Sequence, residues 1–529
     1  MRPSRRWAAA AAVVLAALVG SANPASADPT VSPPDATTIA RIETYLADQV
    51  AERGVPGMEY ALVRGDTVIA LNAIGVADGA GRKLTPQTPM LLASLSKNLT
   101  ATAVMQLVEA GKIRLDAAVT TYLPWFRTAD PAVSATITVA QLLHHTSGMP
   151  TTSPSQNGLL GDDSPAALER GVRALDGVEL LTTPGTAFHY SNLNYNILGL
   201  IVQTVSGESF ADYLSRHVFE PAEMGGASAG PHPGPGAAAG FYPWFGRFRP
   251  TSVPEPASLM PSAISYASAA DLARVLIMNL NEGEVGGSRI LEPASVAELH
   301  RPAFAADDFQ AYAMGWYVRP GWEFDDPTSL TTSTRLPLLL EHGGSWSTTR
   351  TYLGFLPGEK IGVAILINAN QPATESELQA IPTSVWRIIA GRQPTESSAS
   401  EPLLQQYGWQ VAAAIVAVLL ASAAWSLWLL RRPAVHPRAR LAVFAAMLAL
   451  DVGVLAVIWR YLPVAFDTTT VALMRANPDV GILLAVATLI AAGWGLARTV
   501  LATLPFFSRR GGSGRGTTVP RSAQAHPGR

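Results

Sequence analysis

Ser94 and Lys97 stand three residues apart in the run LLASLSKNLTATAVMQLVEAGK, Leu91 to Lys112. A serine hydroxyl is a weak nucleophile until a neighbouring group takes its proton. A lysine amine does this once burial or a nearby cation has loosened its own proton. Arginine stays protonated at physiological pH and is no substitute. The distinction matters in this chain, where only Lys83, Lys97, Lys112 and Lys360 are lysines among 38 basic residues. A position that keeps lysine against so strong an arginine habit is a candidate base. Thiol chemistry is excluded, because there is no cysteine. The nine histidines include no HExxH and no close ligand spacing beyond the adjacent His144 and His145, so no metal or other cofactor is expected.

The pair needs a helix to hold it. Val104, Met105, Leu107 and Val108 recur at helical spacing between Leu99 and Ala110, and Gly111 is a natural stop. Ser94 then falls at or near the helix N-terminus, where backbone N–H groups and the positive dipole end favour developing negative charge. Lys97 lies one turn on, on the same face, within reach of the Ser94 hydroxyl.

At 529 residues the chain exceeds one ordinary domain, and its formal charge of -2 gives no electrostatic footprint for a nucleic-acid partner. The mean hydropathy of +0.20 is high, with the excess at the two ends. Residues 1–27 read as a secretory signal: Arg2, Arg5 and Arg6, an apolar run from Ala8 to Val19, then Ala25-Ser26-Ala27. Residues 391–408 read as a polar linker, GRQPTESSASEP and its flank. Three apolar segments follow, 409–430, 441–459 and 481–501, each close to the ~20 residues that cross the hydrocarbon core as a helix. Arg431 to Arg440 holds four arginines and no acid, and the tail 508–529 holds five and no acid. Positive-inside orientation puts both in the cytoplasm and residues 28–390 outside, where a signal peptide would send them. The expected location is therefore the cell membrane, multi-pass, with protein partners unspecified. Asp451, near the middle of the second span, reads as a polar group joining helices through Ser422 or Thr488, without a basic partner at that depth.

Three further stretches extend the Ser94-x-x-Lys97 motif, in order: LLHHTSGMP (Leu142 to Pro150), PGTAFHYSNLNYNILGLIVQTVSG (Pro184 to Gly207) and EHGGSWSTTRTYLGFLPGEKIGVAILIN (Glu341 to Asn368). With ISYASAADLARVL, Ile264 to Leu276, they resemble the serine β-lactamase and penicillin-binding protein superfamily, in particular its class C β-lactamase-like branch of D,D-peptidases and esterases. The resemblance spans roughly residues 38 to 390.

It implies an α/β fold: an antiparallel sheet flanked by helices, with strands near Met58 to Ala80 and Tyr352 to Ile367 paired antiparallel, and a mostly helical subdomain between Ser94 and about Tyr190. Three transmembrane helices follow. Tyr190 and Asn192 match the Y-x-N element, and His342-Gly343-Gly344 the H-x-G element. The resemblance then implies that Tyr190 takes or relays the Ser94 proton while Asn192 holds Lys97 and a substrate amide. It also implies an oxyanion hole from the N–H groups of Ser94 and Ser345, close approach at Gly344, and electrostatic help from His342. His145 reads as structural, and Met224 to Gly240 as a surface loop. Ser345 to Thr349 are bulkier than the family pattern, which bears on substrate more than on chemistry. The expected activity is hydrolysis of an ester or amide, a D-amino-acid peptide, small ester or β-lactam, through an acyl-enzyme. The rival expectation is a β-lactam- or wall-fragment-sensing receptor that stays acylated.

Overall fold

GMEYALVR, Gly57–Arg64, is buried on both faces from Gly57 to Val63, Glu59 included, the pattern of a central strand covered on both sides. This is β1. In the computed structural model its residues divide by period two. Met58, Tyr60 and Leu62 join one core with Ile42 and Leu46 of helix α1 (Ala36–Arg53) and with Leu378, Ile381 and Trp386. Ala61 and Val63 join a second, larger core. The model describes residues 31, 33–153, 161–320, 338–370, 375–395, 406–432, 436–465 and 470–508. The chain falls into two compact units, Met1–Gln406 and Tyr407–Arg529.

The remaining strands of the main sheet are β2 (Thr67–Gly75), β3 (Phe304–Ala305), β4 (Ala311–Tyr312), β5 (Tyr317–Pro320), β6 (Leu338–Trp346), β7 (Thr349–Leu356) and β8 (Ile361–Ile367). They lie in the order β3-β4-β5-β6-β7-β8-β1-β2, with every neighbour antiparallel. The pairing of N- and C-terminal strands is there, in a register running from Met58↔Ile367 to Arg64↔Ile361. One face of the sheet carries α1 and helix Glu375–Ile389. The other carries Ala269–Leu280, whose capping box of Ser268 and Asp271 fixes its start.

The helical layer begins with α2 (Ser96–Glu109) and does not stop near Tyr190 as expected: α3 (Asn192–Ser206) and Phe210–Leu214 belong to it. The reason is visible in NLNYNILGLIVQTVS, where every residue from Leu193 to Val202 is buried. A helix enclosed all round is the centre of its layer rather than its edge. A small sheet, Met90–Leu91, Ser265–Ala267 and Ser228–Ala229, sits at the N-terminal end of α2 beside Ser94, so part of the Met224 to Gly240 stretch is strand rather than surface loop.

In the second unit three helices are long and apolar enough to cross a membrane: Gly408–Leu430, Arg438–Ala465 and Pro478–Leu501. Here the reading of Asp451 needs correction. It has a basic partner, Arg498, with which it forms a buried ion pair. Arg498 also donates to Ser422 Oγ at 2.6 Å, to Ser426 Oγ at 3.1 Å and to the Met447 carbonyl at 3.3 Å. One guanidinium thus touches both other helices. Thr488 instead accepts from Trp459 Nε1 at 3.2 Å.

Candidate active site

Ser94 sits in a 3-10 turn, Ala93–Leu95, between strand Met90–Leu91 and α2. Ala93 has φ +49, left-handed for a residue with a Cβ. Such backbone costs on the order of 1–3 kcal/mol and persists only where neighbours enforce it. Two do so at Leu92: its N–H donates to Ser265 O at 2.8 Å, and its carbonyl accepts from Thr351 Oγ1 of β7 at 2.7 Å. Gly344 of β6 presses on the same carbonyl. A Cβ there would lie 2.2 Å from Leu92 O and 2.1 Å from Thr351 Oγ1, so only glycine lets this strand reach the turn. Ser345 comes next, exposed, opposite Arg350 in the ladder.

Lys97 is 0% exposed. Its Nζ has three oxygen neighbours: Ser94 Oγ at 3.2 Å, Asn192 Oδ1 at 2.8 Å and the Ser262 carbonyl at 2.8 Å. Burial holds the amine well below the usual lysine range, favouring its neutral form. The Ser262 carbonyl is itself positioned. Thr100 Oγ1 donates to Pro261 O at 2.6 Å, and Pro261 fits against Gly199 of α3, where a Cβ would come 2.1 Å from Pro261 Cγ.

Tyr190 and Asn192 arrive together at the start of α3. The Tyr190 ring centroid is 4.8 Å from Lys97 Nζ. Burial pushes the phenol up, and the nearby Ser94 hydroxyl only partly opposes this. His342 is buried on β6, 6.1 Å ring to ring from Tyr190. Its Nδ1–H donates to Gly343 O at 2.7 Å, and its Nε2 accepts from Tyr312 OH at 3.3 Å. Burial, and after it the charge of Lys97, pushes His342 down to about 3, so the imidazole is neutral at physiological pH. Electrostatic help in the form of a positive charge from His342 is therefore not available; a ring enclosed this way cannot be hydrated as a cation.

All the expected residues, Ser94, Lys97, Tyr190, Asn192, His342, Gly344 and Ser345, lie around one turn. Several neighbours were not foreseen. Tyr195 places its ring 5.8 Å from Lys97 Nζ, and Tyr317 packs 5.4 Å from His342. Tyr195 was findable, one helical turn beyond Asn192 on the same face. The Ser262 carbonyl was not, because every residue has one. Trp346 packs on Leu91, Ala263, Ile264 and Tyr266. Near it Leu91, Tyr266, Thr348 and Pro231 help line a cavity of about 600 Å³. The arrangement has the parts for proton removal from an alcohol: a hydroxyl, a buried amine of lowered basicity and a phenol.

Comparison with known proteins agrees with this geometry. The Beta-lactamase family profile matches residues 42–381. Penicillin-binding protein 4 of Amycolatopsis lactamdurans is 32% identical over 328 residues, 60% of this chain and 82% of that protein. Protein flp of Staphylococcus aureus strain COL is 26% identical over 357 residues, 65% of this chain and 66% of that protein. For the strain MW2 protein the match is 32% identical over 185 residues, covering 37% of its length. Among solved structures, the octameric penicillin-binding protein homologue from Pyrococcus abyssi shares the fold, with TM-score 0.56 and 23% identity over 72% of this chain and 81% of that one. Antiparallel sheet, helical layer and family profile converge: this chain belongs to the β-lactamase family.

Proposed function

We propose that the chain is a membrane-anchored serine hydrolase that opens an ester or amide outside the cell through a Ser94 acyl-enzyme. One observation carries the reading, the three-oxygen surroundings of Lys97 Nζ. Asn192 Oδ1 and the Ser262 carbonyl can only accept. A neutral amine has two N–H bonds, which these two acceptors occupy. The lone pair is left facing Ser94, whose hydroxyl can donate to it. Ser94 Oγ then attacks the substrate carbonyl as its proton passes to Lys97 or through Tyr190, and the leaving group collects that proton as the C–O or C–N bond breaks. The N–H groups of Ser94 and Ser345 receive the oxyanion. His342, neutral, serves by keeping the ring stack beside Tyr190 fixed. Water completes the cycle by hydrolysing the ester at Ser94.

The substrate classes are D-amino-acid peptides, small esters and β-lactams, the last supported by the printed names of the penicillin-binding relatives. The arginine-rich segment Arg431 to Arg440 and the arginine-rich tail support a cytoplasmic C-terminus with the catalytic unit outside. The test treats the full chain in detergent with a fluorescent penicillin and a fluorophosphonate, followed by peptide mapping. Label on Ser94 that is lost with time is the expected result. Label that persists indicates a receptor rather than an enzyme, and no label on Ser94 by either probe overturns the reading. A reporter active only in the cytoplasm, silent after Glu401 and active after Arg440, checks the orientation.

A further inference from the structure

His145 has neither the exposure nor the charge of a reacting group. It is 0% exposed, and burial holds it well below the usual histidine range, with Lys97, His342 and His144 adding to the effect. Yet its surroundings are not those of a space-filling core residue. Its backbone is left-handed, φ +56. Its Nδ1 accepts from the Ser191 N–H at 3.2 Å and from Asn194 Nδ2 at 3.1 Å. The Asn194 amide is oriented by Ser147 Oγ, which donates to Asn194 Oδ1 at 2.6 Å. Because Nδ1 accepts, the ring proton is on Nε2, and that buried N–H has no hydrogen-bond partner among the described residues.

An unpaired buried donor costs on the order of 1–3 kcal/mol. A phenylalanine would fill the same space without that cost, but it could not receive Ser191. Ser191 is the residue between Tyr190 and Asn192. The imidazole also packs on Tyr190 at 4.5 Å and on Tyr195 at 5.1 Å ring to ring, the two rings that face Lys97. Tyr312, at 4.8 Å, and Phe188, at 5.9 Å, close the remaining sides.

The rest of the segment is tied to the same loop. His189 N–H donates to His145 O at 2.8 Å, Thr151 Oγ1 to Tyr190 O at 2.9 Å and Asn192 N–H to Thr151 O at 3.1 Å. Resting on the hydrolase reading, we propose that His145 is a positioning residue: its Nδ1 fixes the chain at Ser191 while its ring fixes the phenol, so one neutral imidazole sets both Tyr190 and Asn192 against Lys97.

Substitution separates the two halves of this role. His145→Phe keeps the ring and removes the acceptor. His145→Asn removes the ring but offers a carbonyl where Nδ1 stood, whereas His145→Gln places its carbonyl where Nε2 stood. The full chain in detergent is assayed for the acylation rate of Ser94 by a fluorescent penicillin, for kcat and KM on p-nitrophenyl acetate, and for the melting temperature. The expected result for His145→Phe is a fall in acylation and kcat on the order of 10²-fold with KM little changed, the cost of misplacing a reacting group by about 1 Å. His145→Asn recovers a substantial part of the rate and His145→Gln does not. A lower melting temperature with unchanged kcat in His145→Phe makes the residue a structural filler and overturns the proposal. Equal rates for the Asn and Gln variants also overturn it, and this pair decides the matter if the Phe variant does not fold. A wild-type chain acylated by neither reagent removes the hydrolase reading and this inference with it.

Discussion

Lys97→Arg is the sharpest perturbation of the proposed chemistry, because it keeps positive charge and nearly keeps length. The Lys97 amine is fully buried and shifted toward its neutral form, with two of its bonds committed to Asn192 and the Ser262 carbonyl. An arginine there keeps its proton. That proton stays on throughout the physiological range, so no useful fraction acts as a base. General-base assistance contributes on the order of 10²- to 10⁴-fold, and Lys97→Arg is expected to lose that factor in kcat, close to the loss in Ser94→Ala. If the amine only supplied charge, Lys97→Arg would keep most activity and Lys97→Ala would not. The assay is hydrolysis of p-nitrophenyl acetate by the three full-length variants, each with a melting curve to show that it is folded. The pH profile adds a second reading: the wild-type rate should hold on the acid side well below pH 10, as the lowered lysine requires. Near-native turnover by Lys97→Arg would falsify the base assignment.

Three other outcomes follow from particular contacts. Gly344→Ala puts a Cβ 2.2 Å from the Leu92 carbonyl and should cost on the order of 10² in kcat, with a lower melting temperature; native kinetics would show that β6 can move off the nucleophile turn. Glu59 is buried on β1 with neither carboxyl oxygen hydrogen-bonded among the described residues, and burial raises it well above the usual carboxylate range. The folded state then binds a proton that the unfolded state releases above about 4.3, so stability falls as pH rises through that window, by up to about 1.4 kcal/mol per pH unit. Glu59→Gln should flatten the dependence of melting temperature on pH between 5 and 8, and parallel curves for the two proteins would rule this out. In the apolar helices, Asp451→Leu strands the Arg498 guanidinium and should destabilise the unit by about 3–5 kcal/mol in denaturant titration, while Asp451→Leu with Arg498→Leu should recover most of the loss. A double variant weaker than the single one would refute the pairing.

Much of the site was legible in the sequence because its residues are paired at short range. Ser94 and Lys97 share a helix turn, and Tyr190 and Asn192 flank one residue at the start of another. The strand at Gly57–Arg64 was legible as β-like from its pattern, while its antiparallel partner at Ile361–Ile367 came from the resemblance. What stayed hidden was long-range. The partner of Asp451 was missed for a geometric reason: reading the third span to stop at Leu501 leaves Arg498 in its last turn, where an arginine reaches the interface, but the helix runs on to Ser508. The neutrality of His342 depends on enclosure by Tyr312 and Tyr317, which lie elsewhere in the chain and carry no motif. His145 reads as structural in the sequence, which does not show which of its nitrogens has a partner.

The contact at Gly344 has a consequence for how this protein can diverge. Along β6 the turn is held at three points: the missing side chain at 344, the Leu92 carbonyl, and the Thr351 side-chain hydroxyl of the neighbouring strand. The side chains that follow, exposed Ser345 and half-buried Trp346, take no part in that grip. The contact that holds the turn and the side chains beside it are therefore carried by different atoms of the same strand. Substitutions at 345 and 346 can alter the surface next to Ser94 while the contact that holds the turn stays in place.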